Sequence, residues 1–193
     1  STYHYNSGGD PDCIPDLTYD QLTEFYRSHY HPSNAIFMTY GDIPAHEHQT
    51  KVESLVLSRF EKLDYTISVP DEKRYLAPVR VQEAYALDEE NTEAKTHIVM
   101  AWLLRKSADL DDYLEAQLLS AVLLDNAASP LQQALETTHL GKSPSPLCGL
   151  EDSQKELLFA AGLEGSDPEH TGQVEFMILE VLESIAEKGV PQD

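Results

Sequence analysis

The chain is poor in cysteine and in positive charge. It also has no long apolar run. Two cysteines, Cys13 and Cys148, occur in 193 residues, far apart and without a CxxC pair. That excludes a disulfide framework and a thiolate zinc knuckle, and two reduced thiols are expected. Only 13 Lys and Arg stand against 34 Asp and Glu, a formal net charge of −21. Nucleic-acid binding draws its affinity from cations that neutralise phosphates, so that class is excluded. Docking on anionic membranes is excluded for the same reason. No uninterrupted apolar stretch reaches the roughly 18 residues of a membrane span. There is no GxSxG nucleophile elbow, so Ser7, Ser129 and Ser145 have no such context. Gly141-Lys142-Ser143 resembles the tail of a phosphate loop, but Glu136 stands where its first glycine belongs. Gly141 is therefore expected to stop a helix.

What is present suits a globular protein: 41% hydrophobic residues over a length that allows one large domain or two modest ones. The surplus of acid reads as a solubilising surface, or as a field that attracts cationic peptides.

Residues 1–16 form a polar, glycine-containing loop, and Ser1-Thr2-Tyr3 does not resemble a native start. No signal peptide is visible. Thr18 followed by Gln21 forms a capping box, with Leu17 and Leu22 at the staple positions. Leu22, Phe25, Tyr26 and Tyr30 share one helical face. Pro32 stops the helix, and Ala35–Tyr40 reads as a strand buried on both sides. Pro44 suits a first helical turn, and Val52, Leu55, Val56 and Phe60 predict a helix over 45–62. The stretch 63–78 holds Pro70, Pro78 and the charged run Asp71-Glu72-Lys73-Arg74, and reads as the linker.

Beyond it, Val79, Val81, Tyr85 and Leu87 alternate as in a half-exposed strand. An acidic connection leads to the apolar strand 96–105. Helical spacing runs over 109–125. Ser129, Pro130 and Gln132 suggest a capped helix reaching about His139. The stretches 146–150 and 156–164 read as two antiparallel strands. Ser166 and Glu169 predict another capping box before a last helix that ends at Gly189. Paired strands among helices indicate an α+β fold, helices on a largely antiparallel sheet.

Two stretches carry a resemblance. Ser7–Asp42 contains SGGDP followed by PDLTYDQLTEFYRSHYHPSNAIFMTYGD. Leu123–Gly165 reads LLDNAASPLQQALETTHLGKSPSPLCGLEDSQKELLFAAGLEG. Together, in this order, they resemble the M16 (pitrilysin, insulinase-like) zinc metallopeptidases, in the subgroup of presequence peptidases. The resemblance implies an incomplete M16 fold. Residues 1–70 would be the end of a first domain, 71–78 a linker and 79–193 the start of a second. It implies a parent that degrades short unfolded peptides with a zinc ion held through an inverted His-x-x-Glu-His motif on one helix and a Glu from a later helix. Side chains three or four apart share a helical face, so two imidazoles can reach one ion.

None of the eight histidines here stands in that motif. The matching region begins after it, so no metal ligand and no catalytic residue is expected within the chain, and no bound zinc. His29/His31 and His46/His48 are two apart and point to different helical faces. Acidic clusters such as 88–90 and Asp109, Asp111 and Asp112 read as turns and helix starts.

Ser7, Gly8, Gly9 and Asp10 are the site expectation. In the resembled family that stretch lies near the substrate chamber, and two glycines permit close backbone approach. The implied partners are peptide substrates, basic ones if the acidity faces the chamber, and the remaining M16 domains of the same chain. An incomplete domain also implies exposed edges and self-association. The expected setting is soluble: cytoplasmic in a bacterium, an organellar matrix in a eukaryote. The alternative is a non-catalytic M16-like structural or peptide-binding module.

Overall fold

The structure is a computed structural model that describes residues 4–190. Ser1-Thr2-Tyr3 lies outside the described residues. The chain divides into two compact units, Ser1–Pro70 and Asp71–Asp193.

The first unit holds two helices, α1 (Tyr19–His29) and α2 (Ala45–Leu55), with short 3-10 turns between and after them. Helix α1 begins as its sequence dictates. Thr18 accepts from the Gln21 amide, and Gln21 reaches back to the Thr18 amide at 2.8 Å. His31 caps the turn Pro32–Asn34 by accepting from the Ser33 amide at 3.1 Å. Its ring packs edge-on to Phe60. Ser33 and Asn34 then reach forward, accepting from the amides of Leu63 and Ile67.

Two expectations fail in this unit, the strand over 35–40 and the full length of the helix over 45–62. Ala35–Tyr40 is extended but forms no strand, and Ile36, Met38 and Tyr40 are 97%, 91% and 105% exposed. A strand needs a second strand for its amides, and none is present beside it among the described residues. The apolar face of α1 buries nothing, and Leu17 and Leu22 are exposed. The helix expected over 45–62 ends at Leu55 and continues only as the turn Leu57–Arg59, with Pro44 as its N-cap.

The second unit carries the sheet. Its strands are β1 (Thr96–Lys106), β2 (Ser143–Pro144), β3 (Gly149–Glu151) and β4 (Glu156–Ser166). Strand β4 pairs antiparallel with β1 on one side and with β2 and β3 on the other. Helices α3 (Leu110–Leu124), α4 (Pro130–Thr137) and α5 (Thr171–Lys188) supply the apolar cover. The fold is therefore α+β, helices packed on a four-stranded antiparallel sheet.

Pairing sets the core. Ile98 lies opposite Leu163, Met100 opposite Ala161 and Trp102 opposite Phe159. These pairs join Leu123, Leu131, Leu135, Val174 and Ile178 in one apolar cluster. Fully burying such a side chain contributes about 1.5–3 kcal/mol each.

Several ends differ from expectation. Val79–Leu87 alternates in sequence but forms no strand. Its Tyr85 ring instead packs edge-on to His97, and its hydroxyl donates to the Lys95 carbonyl. Helix α4 stops at Thr137, four residues short of Gly141. Gly141 serves close packing instead: a Cβ there would lie 2.9 Å from Leu163 Cβ. Ser129 and Ser166 do not cap. Ser129 accepts from the Asn126 amide, and Ser166 donates to the Leu140 carbonyl. Asp109 does cap, accepting from the amides of Asp111 and Asp112. Gly189 ends α5 with φ +77°.

Gly162 is the tightest point of the sheet. A Cβ there would sit 2.1 Å from the Ile98 carbonyl oxygen and 2.7 Å from Val99 Cα. Both neighbours are backbone, so neither can swing aside. Gly162→Ala is expected to cost at least about 3 kcal/mol and to abolish the cooperative melt of the second unit. Gly172→Ala, at an open position in α5, is expected to leave the melt unchanged or raise it by up to about 1 kcal/mol. Thermal unfolding followed by circular dichroism reads both; equal effects would contradict the close-approach argument.

Candidate functional site

The stretch Ser7-Gly8-Gly9-Asp10 forms a tight turn built from its own side chains. Gly8 donates its amide to Asn6 Oδ1 at 2.8 Å, and Gly9 donates to the Asn6 carbonyl at 3.0 Å. Gly9 has φ +82°, a conformation that costs a residue with a Cβ about 1–2 kcal/mol. Asp10 starts the next turn. Its Oδ1 accepts from the Asp12 amide at 3.0 Å, and its carbonyl accepts from Cys13 and Ile14. The Cys13 thiol lies 3.7 Å from Asp10 Oδ2.

All four residues are exposed. The Asp10 carboxylate is thus spent on its own turn. The arrangement presents backbone and a hydroxyl to solvent, and it gathers no acid–base pair.

The pair His29/His31 is likewise engaged locally. The His29 ring stacks on Phe25 at 3.8 Å between centroids, and Nδ1 lies 2.9 Å from Ser28 Oγ. His31 Nδ1 is taken by the Ser33 amide. His48 lines an open groove of about 720 Å³ between Phe37, Thr39 and α2. That groove borders the exposed, unpaired segment, and its walls are mostly apolar.

Zinc finds no fit here. Among the described residues no group of three or more His, Cys, Asp or Glu is gathered that could hold a metal ion. No catalytic step is therefore derived through a metal on these residues.

Two engaged groups escaped the sequence reading. Cys148 closes the gap between β2 and β3. Its sulfur accepts from the Gly162 amide at 3.3 Å, and its thiol donates to the Gly162 carbonyl at 3.4 Å. A side chain thus does what a ladder residue would do. Burial pushes its pKa up, opposed by the hydrogen bonds from Gly162 and Ser145. The second is Glu156, a buried carboxylate at the start of β4. A charged residue opening the apolar run LLFAAGL was the available signal for it.

The cysteines should separate by reactivity, since the thiolate is the nucleophile. Iodoacetamide at pH 8 is expected to label exposed Cys13 about tenfold faster or more than Cys148, with the two converging in denaturant. Mass spectrometry of the labelled peptides checks this; equal native rates would contradict the Gly162 bridge.

Comparison with known proteins places this geometry. A family model described as the peptidase M16 inactive domain matches residues 16–193. The chain is 36% identical over 191 residues to the mitochondrial presequence protease of Xenopus laevis, covering 98% of this chain and 19% of that protein. It is 34% identical over 194 residues to the mitochondrial presequence protease of Mus musculus, covering 100% and 19%. It is 34% identical over 196 residues to presequence protease 1, chloroplastic/mitochondrial, of Arabidopsis thaliana, covering 100% and 18%. The chain spans about a fifth of the length of these curated relatives. No helix among the described residues is long and apolar enough to cross a membrane. An α+β unit of helices on an antiparallel sheet, matched by that family model over nearly its whole length, has one reading: the chain belongs to the family of peptidase M16 inactive domains.

Proposed function

We propose that this chain is a wall-forming segment of a larger zinc-dependent peptidase that degrades short unfolded peptides. The observation that carries this is the match over 98–100% of the chain to proteins named presequence proteases, each about five times as long. In this reading residues 1–70 complete one M16 domain, 71–78 connect and 79–193 begin the next. Zinc ligands and the catalytic base lie in polypeptide outside this chain. The remaining domains cover the surfaces left open here: the exposed apolar residues of the first unit, the outer edge of β1, and the stripe Leu110, Leu114 and Leu118 on α3. Left without that cover, the chain self-associates. The relatives' names place them in mitochondria or chloroplasts, and we assign this protein to an organellar matrix.

Ser7–Asp10 borders the substrate chamber in this reading, offering exposed backbone to a passing peptide. The charge of −21 suits basic peptides, whose encounter a negative wall would speed.

A second reading is favoured by the family description itself, which names an inactive domain. In it the whole protein is a non-catalytic module that binds peptides or supports a fold.

One experiment separates them. The full-length protein is given an Arg-rich 20-residue peptide with and without 1,10-phenanthroline, beside the 193-residue chain alone. We expect cleavage by the full-length protein, its loss with chelator, and none by the isolated chain. Raising salt from 20 to 200 mM should slow cleavage several-fold. Cleavage by the isolated chain would overturn the wall reading. An inert full-length protein would favour the module, and a salt-insensitive rate would remove the charge attraction.

A further inference from the structure

The charged run Asp71-Glu72-Lys73-Arg74 looks in sequence like a solvated connection. In the structure it is bound to one end of the sheet. The Asp71 carboxylate lies 2.6 Å from Lys155 Nζ and 3.2 Å from Lys106 Nζ. The Glu72 amide donates to Glu156 Oε2 at 2.7 Å. Arg74 Nη2 donates to Glu156 Oε1 at 2.7 Å. The same guanidinium donates to the carbonyls of Leu103 and Leu104.

The place is specific. Lys106 and Glu156 are the last register pair of β1 and β4, and the register slips between Leu103 and Lys106. Arg74 supplies its donors to two successive carbonyls where the ladder is irregular. Glu156 is only 8% exposed, and a buried carboxylate without partners is strongly unfavourable. Each of its oxygens takes a donor from the run, one from the Glu72 backbone and one from the Arg74 side chain. Two lysines of the sheet end and the arginine of the run thus face two carboxylates, Asp71 and Glu156. Lys73 takes no part in this; its ammonium lies 5.2 Å from the centre of the Tyr75 ring.

We propose that Asp71–Arg74 is an electrostatic latch, seated on the Glu156 end of the sheet, that fixes where the second unit begins. The partly exposed legs from Asp71 to Lys106 and Lys155 are weak and screened by salt. The buried leg through Glu156 holds it, because opening it would strand a carboxylate out of water. The run is therefore a docked strut rather than a free tether, and it is a property of the second unit alone.

Amide hydrogen exchange at single-residue resolution on the 193-residue chain tests this. The Glu72 amide is expected to exchange at least tenfold more slowly than in an unstructured peptide of the same sequence. Glu156→Gln should remove about tenfold of that protection at Glu72 while the amides of Phe159 and Ala161 keep theirs. Should that variant lose the sheet, the wild-type chain and Asp71→Asn remain as tests. Wild-type protection at Glu72 should fall several-fold from 20 mM to 500 mM salt, and Asp71→Asn should remove most of that salt dependence. Exchange at the free-peptide rate in the wild type would overturn the latch. So would protection indifferent to both salt and Glu156→Gln on an intact sheet.

Discussion

The structure depends on the pairing of β4. Among the described residues, every other strand of the sheet hydrogen-bonds to it and to no other strand. Remove it and β1, β2 and β3 lose the ladder partner of their backbone groups, a cost the few side-chain bonds such as those from Arg74 could not offset. Its composition follows from that position. Small residues Ala160, Ala161 and Gly162 let neighbouring chains approach closely, and Leu157, Phe159 and Leu163 fill the core. Gly162 meets two demands at once. Its missing side chain admits β1, and its amide and carbonyl are satisfied by Cys148 from the other side.

The first unit shows what happens without such a strand. Its helix starts are well formed, since capping is local and needs only a few residues. Its apolar residues nevertheless stand open. Phe25, Tyr26, Ile36, Met38 and Tyr40 are exposed, and no residue of the described helices there is buried. A peptide with these apolar positions is patterned for burial, and the cover is not among the described residues.

Much of the fold was legible in the sequence, and the division follows the range of the forces. The box at Thr18 and Gln21, the helix over 110–124 and the stop at Gly189 all rest on contacts a few residues apart. The failures rest on distant partners. Ala35–Tyr40 has a strand's composition but lacks a strand to join. Val79–Leu87 has the alternation but bonds through the Arg80 and Tyr85 side chains instead of a ladder. Ser129 and Ser166 match capping patterns, yet tertiary neighbours claim their hydroxyls. At the candidate site the turn at Gly8-Gly9 was readable from its glycines. The partners of Glu156 and Cys148 were not legible, since each lies fourteen or more positions away, although a charge opening the apolar run of β4 marked Glu156 as unusual.

The second unit holds a buried core organised by β4, while the apolar residues of the first unit stand exposed. Brief thermolysin digestion of the native chain, with intact masses of the products, tests this most directly. The first cuts are expected within 35–67, leaving a resistant core that contains β1 through α5. A first cut inside β1 or β4, or a first unit that outlasts the second, would contradict it.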